Sequence, residues 1–285
     1  MDHDQHHLPG HGAGISVPGV VLPVVVLLLS AALYLHLAHR ARRRNPALGW
    51  SGWRTLSFGV GLLLLAVAVL PPVATLAHHD FRGHMVAHLL VGMYAPLALV
   101  LGAPVTLLLR TLPARQGRRL TGLLHSRPAR VLTHPATAWL LSTGSLVPLY
   151  FTPLYDTATS HPAGHWLLHL HFLLAGCLFA HVIAGPDPAP ARPGVPTRLV
   201  YLGCGIALHA VVSQLIYGGY WVQIAAPAAE VRTGAEIMYY GGDIAELLLA
   251  AALVATWRPV RRPRPGARPA RRAVARVPTG GSALG

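Results

Sequence analysis

The feature that most constrains this chain is the length of its apolar blocks. A bilayer's hydrocarbon core is crossed by roughly 20 apolar residues in a helix, whose backbone polar groups are all satisfied internally. Seven blocks approach or exceed that length: residues 17–38, 55–77, 84–109, 131–151, 162–184, 198–217 and 235–257. The expected fold is therefore all-α, a bundle of seven transmembrane helices. A mean hydropathy of +0.48, with 53% hydrophobic and 11% charged residues, excludes an ordinary soluble domain. The two cysteines, Cys177 and Cys204, both fall inside blocks, so no disulfide framework and no Cys-x-x-Cys motif is present.

Three regions follow. Residues 1–16 form a His- and Asp-rich tail, residues 17–257 the membrane domain, and residues 258–285 an Arg/Pro/Gly tail of disordered composition. The first eleven residues carry no basic segment and do not read as a cleaved signal peptide. An isoelectric point near 11.1 would point to nucleic acid in a soluble protein. Here the charge lies between the blocks, so topology accounts for it and no nucleic-acid partner is expected.

All 23 basic residues are arginines. They crowd the connection 40–54, the connection 110–130, the approach to the sixth block (Arg192 and Arg198) and the C-terminal tail. Only Arg82 and Arg232 fall on the other side. Cytoplasmic loops carry the excess of Arg and Lys, which predicts an outward N-terminus and a cytoplasmic C-terminus.

That orientation gives depth to the ionisable residues within the blocks, where such groups are costly and usually functional. His84 and His88 lie four apart, on one helical face near the outer end of the third block. His161, His165 and His169 form a stripe down the outer half of the fifth. His209, Ser213 and Tyr217 share a face of the sixth, and Tyr239, Asp243 and Glu246 a face of the seventh. Imidazole suits copper, zinc, iron and haem, and the thioethers of Met85 and Met93 favour copper over zinc. The expected ligands are His84, His88, His165, His169 and His209, with Asp243, Glu246 and Met85 as ligands or supports. A single buried histidine is more often a packing residue; it is the convergence of four blocks that points to a site. His36, His39, His125, His134 and His181 lie near the cytoplasmic ends and read as interfacial. In the N-terminal tail, Met1-Asp2-His3 places an imidazole third from a free amine. That arrangement can wrap Cu(II) in a square plane, and His6 and His7 could pass copper on.

These residues resemble the seven-helix CtaG family of cytochrome c oxidase assembly proteins. The matching pieces are His84-Met85-Val86-Ala87-His88, Ala95-Pro96, Leu101-Gly102-Ala103-Pro104 and Pro153-Leu154-Tyr155. The His161/His165/His169 stripe running into Gly176, and the run Glu236-Ile237-Met238-Tyr239-Tyr240-Gly241-Gly242-Asp243, complete the match. An Asp-Gln-Gln-like run expected before the last block reads Ala229-Glu230-Val231-Arg232-Thr233 instead. The resemblance implies a non-enzymatic assembly factor of the bacterial cytoplasmic membrane. It would handle copper, with a haem-copper oxidase subunit or a copper chaperone as partner. Two rival readings are a di-iron hydroxylase, suggested by the His-x-x-x-His pairs, and a haem-carrying electron-transfer protein. The first lacks His-x-x-His-His boxes. The second needs a spacing like that of His165 and His181 repeated on another helix, and no other helix has it.

Overall fold

The computed structural model describes residues 17–189 and 192–257. The 1–16 tail with His3, His6 and His7, and the 258–285 tail, lie outside the described residues. Every regular element described is helical. Helix α1 (Val17–Arg44) is followed by α2 (Gly52–Val69), α3 (Val73–His79) and α4 (Phe81–Leu89). A π-helical segment, Leu90–Tyr94, joins α4 to α5 (Ala95–Leu101), and α6 (Pro104–Thr111) completes that path. Next come α7 (Ala114–Leu124), α8 (Arg127–Leu132) and α9 (Pro135–Trp139). A second π segment, Leu140–Gly144, leads to α10 (Leu146–Phe151) and α11 (Leu154–Thr159). Then α12 (Pro162–Ala184), α13 (Val195–Gly218) and α14 (Ala228–Thr256) close the bundle.

Six of these paths are long and apolar enough to cross a membrane: α1, α2, the Phe81–Thr111 path, α12, α13 and α14. Leu28, Leu63, Leu167 and Leu247 are exposed along them, an outer surface suited to lipid chains. The Phe81–Thr111 path is the most buried and sits at the centre, with α2 and α12 against α5 and with α14 against α4. The all-helical expectation is met. The fourth block is not one helix: it begins at Pro135 and is split by its π segment. His134 caps it, its ring nitrogen accepting from the Ala136 N–H at 3.2 Å, which moves the start past 131. The second block also ends early, at Val69, because Pro71 and Pro72 stop the helix, and α3 turns back onto α4. The last block starts sooner than 235, since Pro227 precedes a helix that already includes Glu230 and Arg232.

The two π segments share a cause. Pro96 follows Gly92 by four residues, and Pro148 follows Gly144 by four. A proline has no N–H to return to the carbonyl four residues back, and its ring crowds that carbonyl. A widened turn relieves the crowding and leaves the carbonyl free. The Gly92 carbonyl then lies directly against Gly176 of α12, where any side chain would collide with it.

At the arginine-rich end, buried Asp187 ties the α12–α13 connection to the start of α6. Its carboxylate accepts from Val105 N (3.1 Å), Thr106 N (2.7 Å) and Thr106 Oγ1 (2.6 Å). Arg198 donates to the Ile183 carbonyl at 2.8 Å. At the other end the α13–α14 connection closes over the split segment. There Gln223 N donates to the Tyr150 carbonyl at 3.1 Å, and Ala225 N donates to the Asp156 carboxylate.

This packing predicts unequal responses at two helical glycines. Gly176→Val should cost about 1–3 kcal/mol through overpacking against Gly92. Gly203→Val on α13, which faces open space, should cost much less. Thermal unfolding of the two variants in detergent measures the difference.

Candidate metal site

Asp80 starts α4 by accepting from the Arg82 N–H at 2.8 Å and by pairing with the Arg82 guanidinium. Arg82 holds the Asp80 carboxyl below its usual range, chiefly through that side-chain hydrogen bond. The cap fixes the register of α4, so His84 and His88 both point inward, 1% and 4% exposed. His84 and Met85 meet the split segment: His84 Nε2 lies 3.2 Å from the Tyr150 hydroxyl, which donates to Met85 Sδ at 3.9 Å. Tyr155 of α11 packs edge-on against the His84 ring at 4.8 Å. Burial pushes the Tyr155 hydroxyl well above its usual range, so it remains a neutral phenol.

The expected ligands form a chain of pairs. His165 and His169 on α12 have ring centroids 4.5 Å apart. The His78 ring of α3 stacks on His165 at 4.2 Å. His78 Nδ1 lies 2.6 Å from the Ala74 carbonyl; donation there puts the free lone pair on Nε2. His88 and His209 face each other across the bundle with centroids 6.5 Å apart and rings 17° from parallel. Among the described residues, no three His, Cys, Asp or Glu side chains converge closely enough to hold one ion. The five histidines are thus not gathered around a single centre.

His88 and His209 stand apart from the others in their hydrogen bonding. Both ring nitrogens of each are buried without a hydrogen-bond partner. Burying such groups unanswered costs about 1–3 kcal/mol each, and native proteins keep few of them. The pair lines a cavity of about 20 Å³ together with Met93, Ser142, Thr143 and Phe172. Both π segments contribute to its wall, through Met93 on one side and Ser142 and Thr143 on the other. The His209 ring rests on Gly242 of α14, where a Cβ would strike it. Two imidazoles sharing an ion at about 2 Å from nitrogen would place their centroids roughly 6 Å apart. The observed 6.5 Å is close to what two imidazoles on opposite sides of one ion would give, and Met93 lines the same cavity.

Met85 lies on the Tyr150 side and is fully buried. Glu246 is 4% exposed and lines an adjoining cavity, whereas Asp243 is only half-buried and lines neither. His161 is exposed and bonds to Ser160 Oγ at 2.7 Å. His171, which the sequence reading does not single out, has its Nε2 3.0 Å from Ser145 Oγ and anchors the end of the second π segment. Nothing in its spacing separates it from a packing histidine. His78 also escapes the sequence reading, because it stands outside the apolar blocks, and only the turn at Pro71-Pro72 brings it onto His165.

A family model described as the cytochrome c oxidase caa3 assembly factor matches residues 32–259. The chain belongs to that family. Among curated relatives, uncharacterized proteins of Mycobacterium bovis and Mycobacterium tuberculosis are each 32% identical over 262 residues. Those residues are 85% of this chain and 38% of each relative. An uncharacterized protein of Mycobacterium leprae is 32% identical over 243 residues, 78% of this chain and 37% of its own length. The chain thus matches well under half of the length of these relatives. No solved structure matches it. The match to the caa3 assembly factors spans α4, the split segment, α12, α13 and α14, and so takes in the entire His88–His209 cavity.

Hydrogen bonding yields a stability test within this fold. His88→Leu and His209→Leu remove unanswered polar atoms, so the metal-free melting temperature should hold or rise, by up to about 1–3 kcal/mol of stability. His84→Leu strands the Tyr150 hydroxyl beside Met85 and should lower it. Detergent melting curves recorded with a chelator present decide between these outcomes.

Proposed function

We propose that this protein is a non-catalytic assembly factor that handles copper for a haem-copper oxidase in the bacterial cytoplasmic membrane. The observation that carries the reading is the His88–His209 pair, with four buried, unpartnered ring nitrogens around a cavity walled by Met93. Copper is the cargo. His88, His209 and Met93 hold it, and His78, His165 and His169 form the outer approach to them. The soft sulfur and the imidazoles favour copper over harder ions. The partner that takes the ion is an oxidase subunit or a copper chaperone acting outside the membrane.

In this reading the chain crosses the membrane seven times, the fourth time as the split path α9–α10. That path runs about 25 Å at 1.5 Å per residue and packs against α12 and α13. It leads from the arginine-rich loop holding α7 and α8 to the end of the bundle that carries His78 and Trp221. The N-terminus then faces outward and the C-terminus lies in the cytoplasm, in keeping with the arginine partition.

Two measurements test this. A reporter placed in the α13–α14 connection should register the outside, and one placed after Trp257 the cytoplasm; reversed signals would refute the outward-facing site. His88→Ala and His209→Ala should abolish oxidase maturation while the protein stays in the membrane at normal abundance. His125→Ala and His134→Ala, at the arginine-rich end, should leave maturation near the wild-type level. Equal losses from both groups would reduce the histidines to packing residues.

A further inference from the structure

Glu246 lies on α14 one turn beyond Gly242, the residue on which the His209 ring rests. It is 4% exposed, and its Oε2 has no hydrogen-bond partner. It lines a cavity of about 40 Å³ that shares Gly92, Met93, Ser142 and Thr143 with the His88–His209 cavity. The Met93 side chain therefore borders both spaces, with two imidazoles on one side and one carboxylate on the other. The far wall is apolar, formed by Leu97, Phe179 and Leu249, so the joined space ends there.

The charges around this space can be counted. Glu246 is the single acidic residue lining either cavity, and no arginine lines them. The one salt bridge among the described residues, Arg82 with Asp80, lies at the start of α4. A buried carboxylate is tolerated when a positive partner answers it. The chain itself supplies none here, so without a bound cation the carboxyl keeps its proton, and an entering cation releases that proton as it takes up the carboxylate charge. The neutral imidazoles and the thioether bring no charge, and the site therefore offers a bound ion one negative charge. A monovalent ion would be neutralised. A divalent ion would leave a net positive charge in a low-dielectric interior, where it is heavily penalised.

We propose that Glu246 is the counter-charge that makes this site select a monovalent soft cation, Cu(I), over divalent ions. The proposal rests on the copper reading above and adds to it the charge of the ion. Glu246 need not touch the ion directly; one turn from His209 and beside Met93, it acts across the shared space. It also supplies a reason for an acidic residue to stand where an apolar one would pack at no electrostatic cost.

The test uses the full chain purified in detergent under reducing, anaerobic conditions, with His3, His6, His7 and His11 changed to alanine so that the tail's imidazoles take no copper. Cu(I) is titrated against a chromogenic Cu(I) chelator, with Ag(I) and Zn(II) as competitors. The expected result is one tightly held Cu(I), displaced by Ag(I) and retained against equal Zn(II). Glu246→Gln, which keeps shape and removes charge, should weaken Cu(I) and Ag(I) in parallel by at least about tenfold. Unchanged affinity in Glu246→Gln, or displacement of Cu(I) by equal Zn(II), overturns the proposal. If Glu246→Gln does not yield a monodisperse protein, the Ag(I)-against-Zn(II) competition on the Glu246-containing chain decides. His88→Ala and His209→Ala separate the two ideas. If they bind Cu(I) normally, or if the chain binds none at all, the copper site itself falls and the counter-charge with it. If they lose binding and Glu246→Gln keeps it, the counter-charge alone falls.

Discussion

Inside an apolar bundle no solvent is at hand to answer a polar group, so each one must be satisfied by the fold or left waiting for something from outside. The architecture follows from how this chain meets that demand. Pro96 and Pro148 each deny a helix one hydrogen bond, and each helix widens into a π segment just before its proline. The two widened turns face the same space. Gly176 lets α12 meet the Gly92 carbonyl, and Gly242 lets α14 meet the His209 ring. Small residues bring the helices together around a gap that the prolines hold open. Without the two widened turns, regular helices would leave Met93 and Thr143 no common wall to form.

The same demand separates the buried polar residues by role. Asp187 is answered three times by the start of α6, and Arg198 by the Ile183 carbonyl. His84 has Tyr150, and His171 has Ser145. Each of these residues has at least one bond from the fold that surrounds it. Neither ring nitrogen of His88 or His209 has one, and the Oε2 atom of Glu246 has none. Depth alone does not mark them, since Asp187 is as buried as they are. What marks them is that the structure accepts the cost of their burial without any compensating bond, as a site built for a visitor does.

Much of this was legible in the chain before folding. The apolar blocks announce helices, and the fourfold spacing of His84 and His88 puts both on the face that turns inward. His209 was singled out from another block, and the structure sets it opposite His88. What stayed hidden was long-range. Nothing in the spacing of His165 and His169 says that they pair with His78 while His88 pairs with His209, because that choice depends on how α3 folds back at Pro71-Pro72. The broken fourth block was equally hidden, because hydropathy averages over Pro148 and registers no missing N–H. Asp187, in a Pro-rich loop, reads as solvated until α6 is seen starting on it.

Glu246 shows how far composition and position can mislead when taken separately. Asp243 and Glu246 lie three apart on α14 and look interchangeable as ligands. The helix turns them to different environments, Asp243 towards a half-exposed edge and Glu246 into the gap behind His209. A carboxylate at a half-exposed edge interacts weakly with an ion at the centre, because water and headgroups screen it. One enclosed beside a thioether and two imidazoles interacts strongly, because little there can relax to screen it. In the proposed site, the single turn that separates Gly242 from Glu246 would thus set the net charge, and with it the charge of the ion that this cavity would hold.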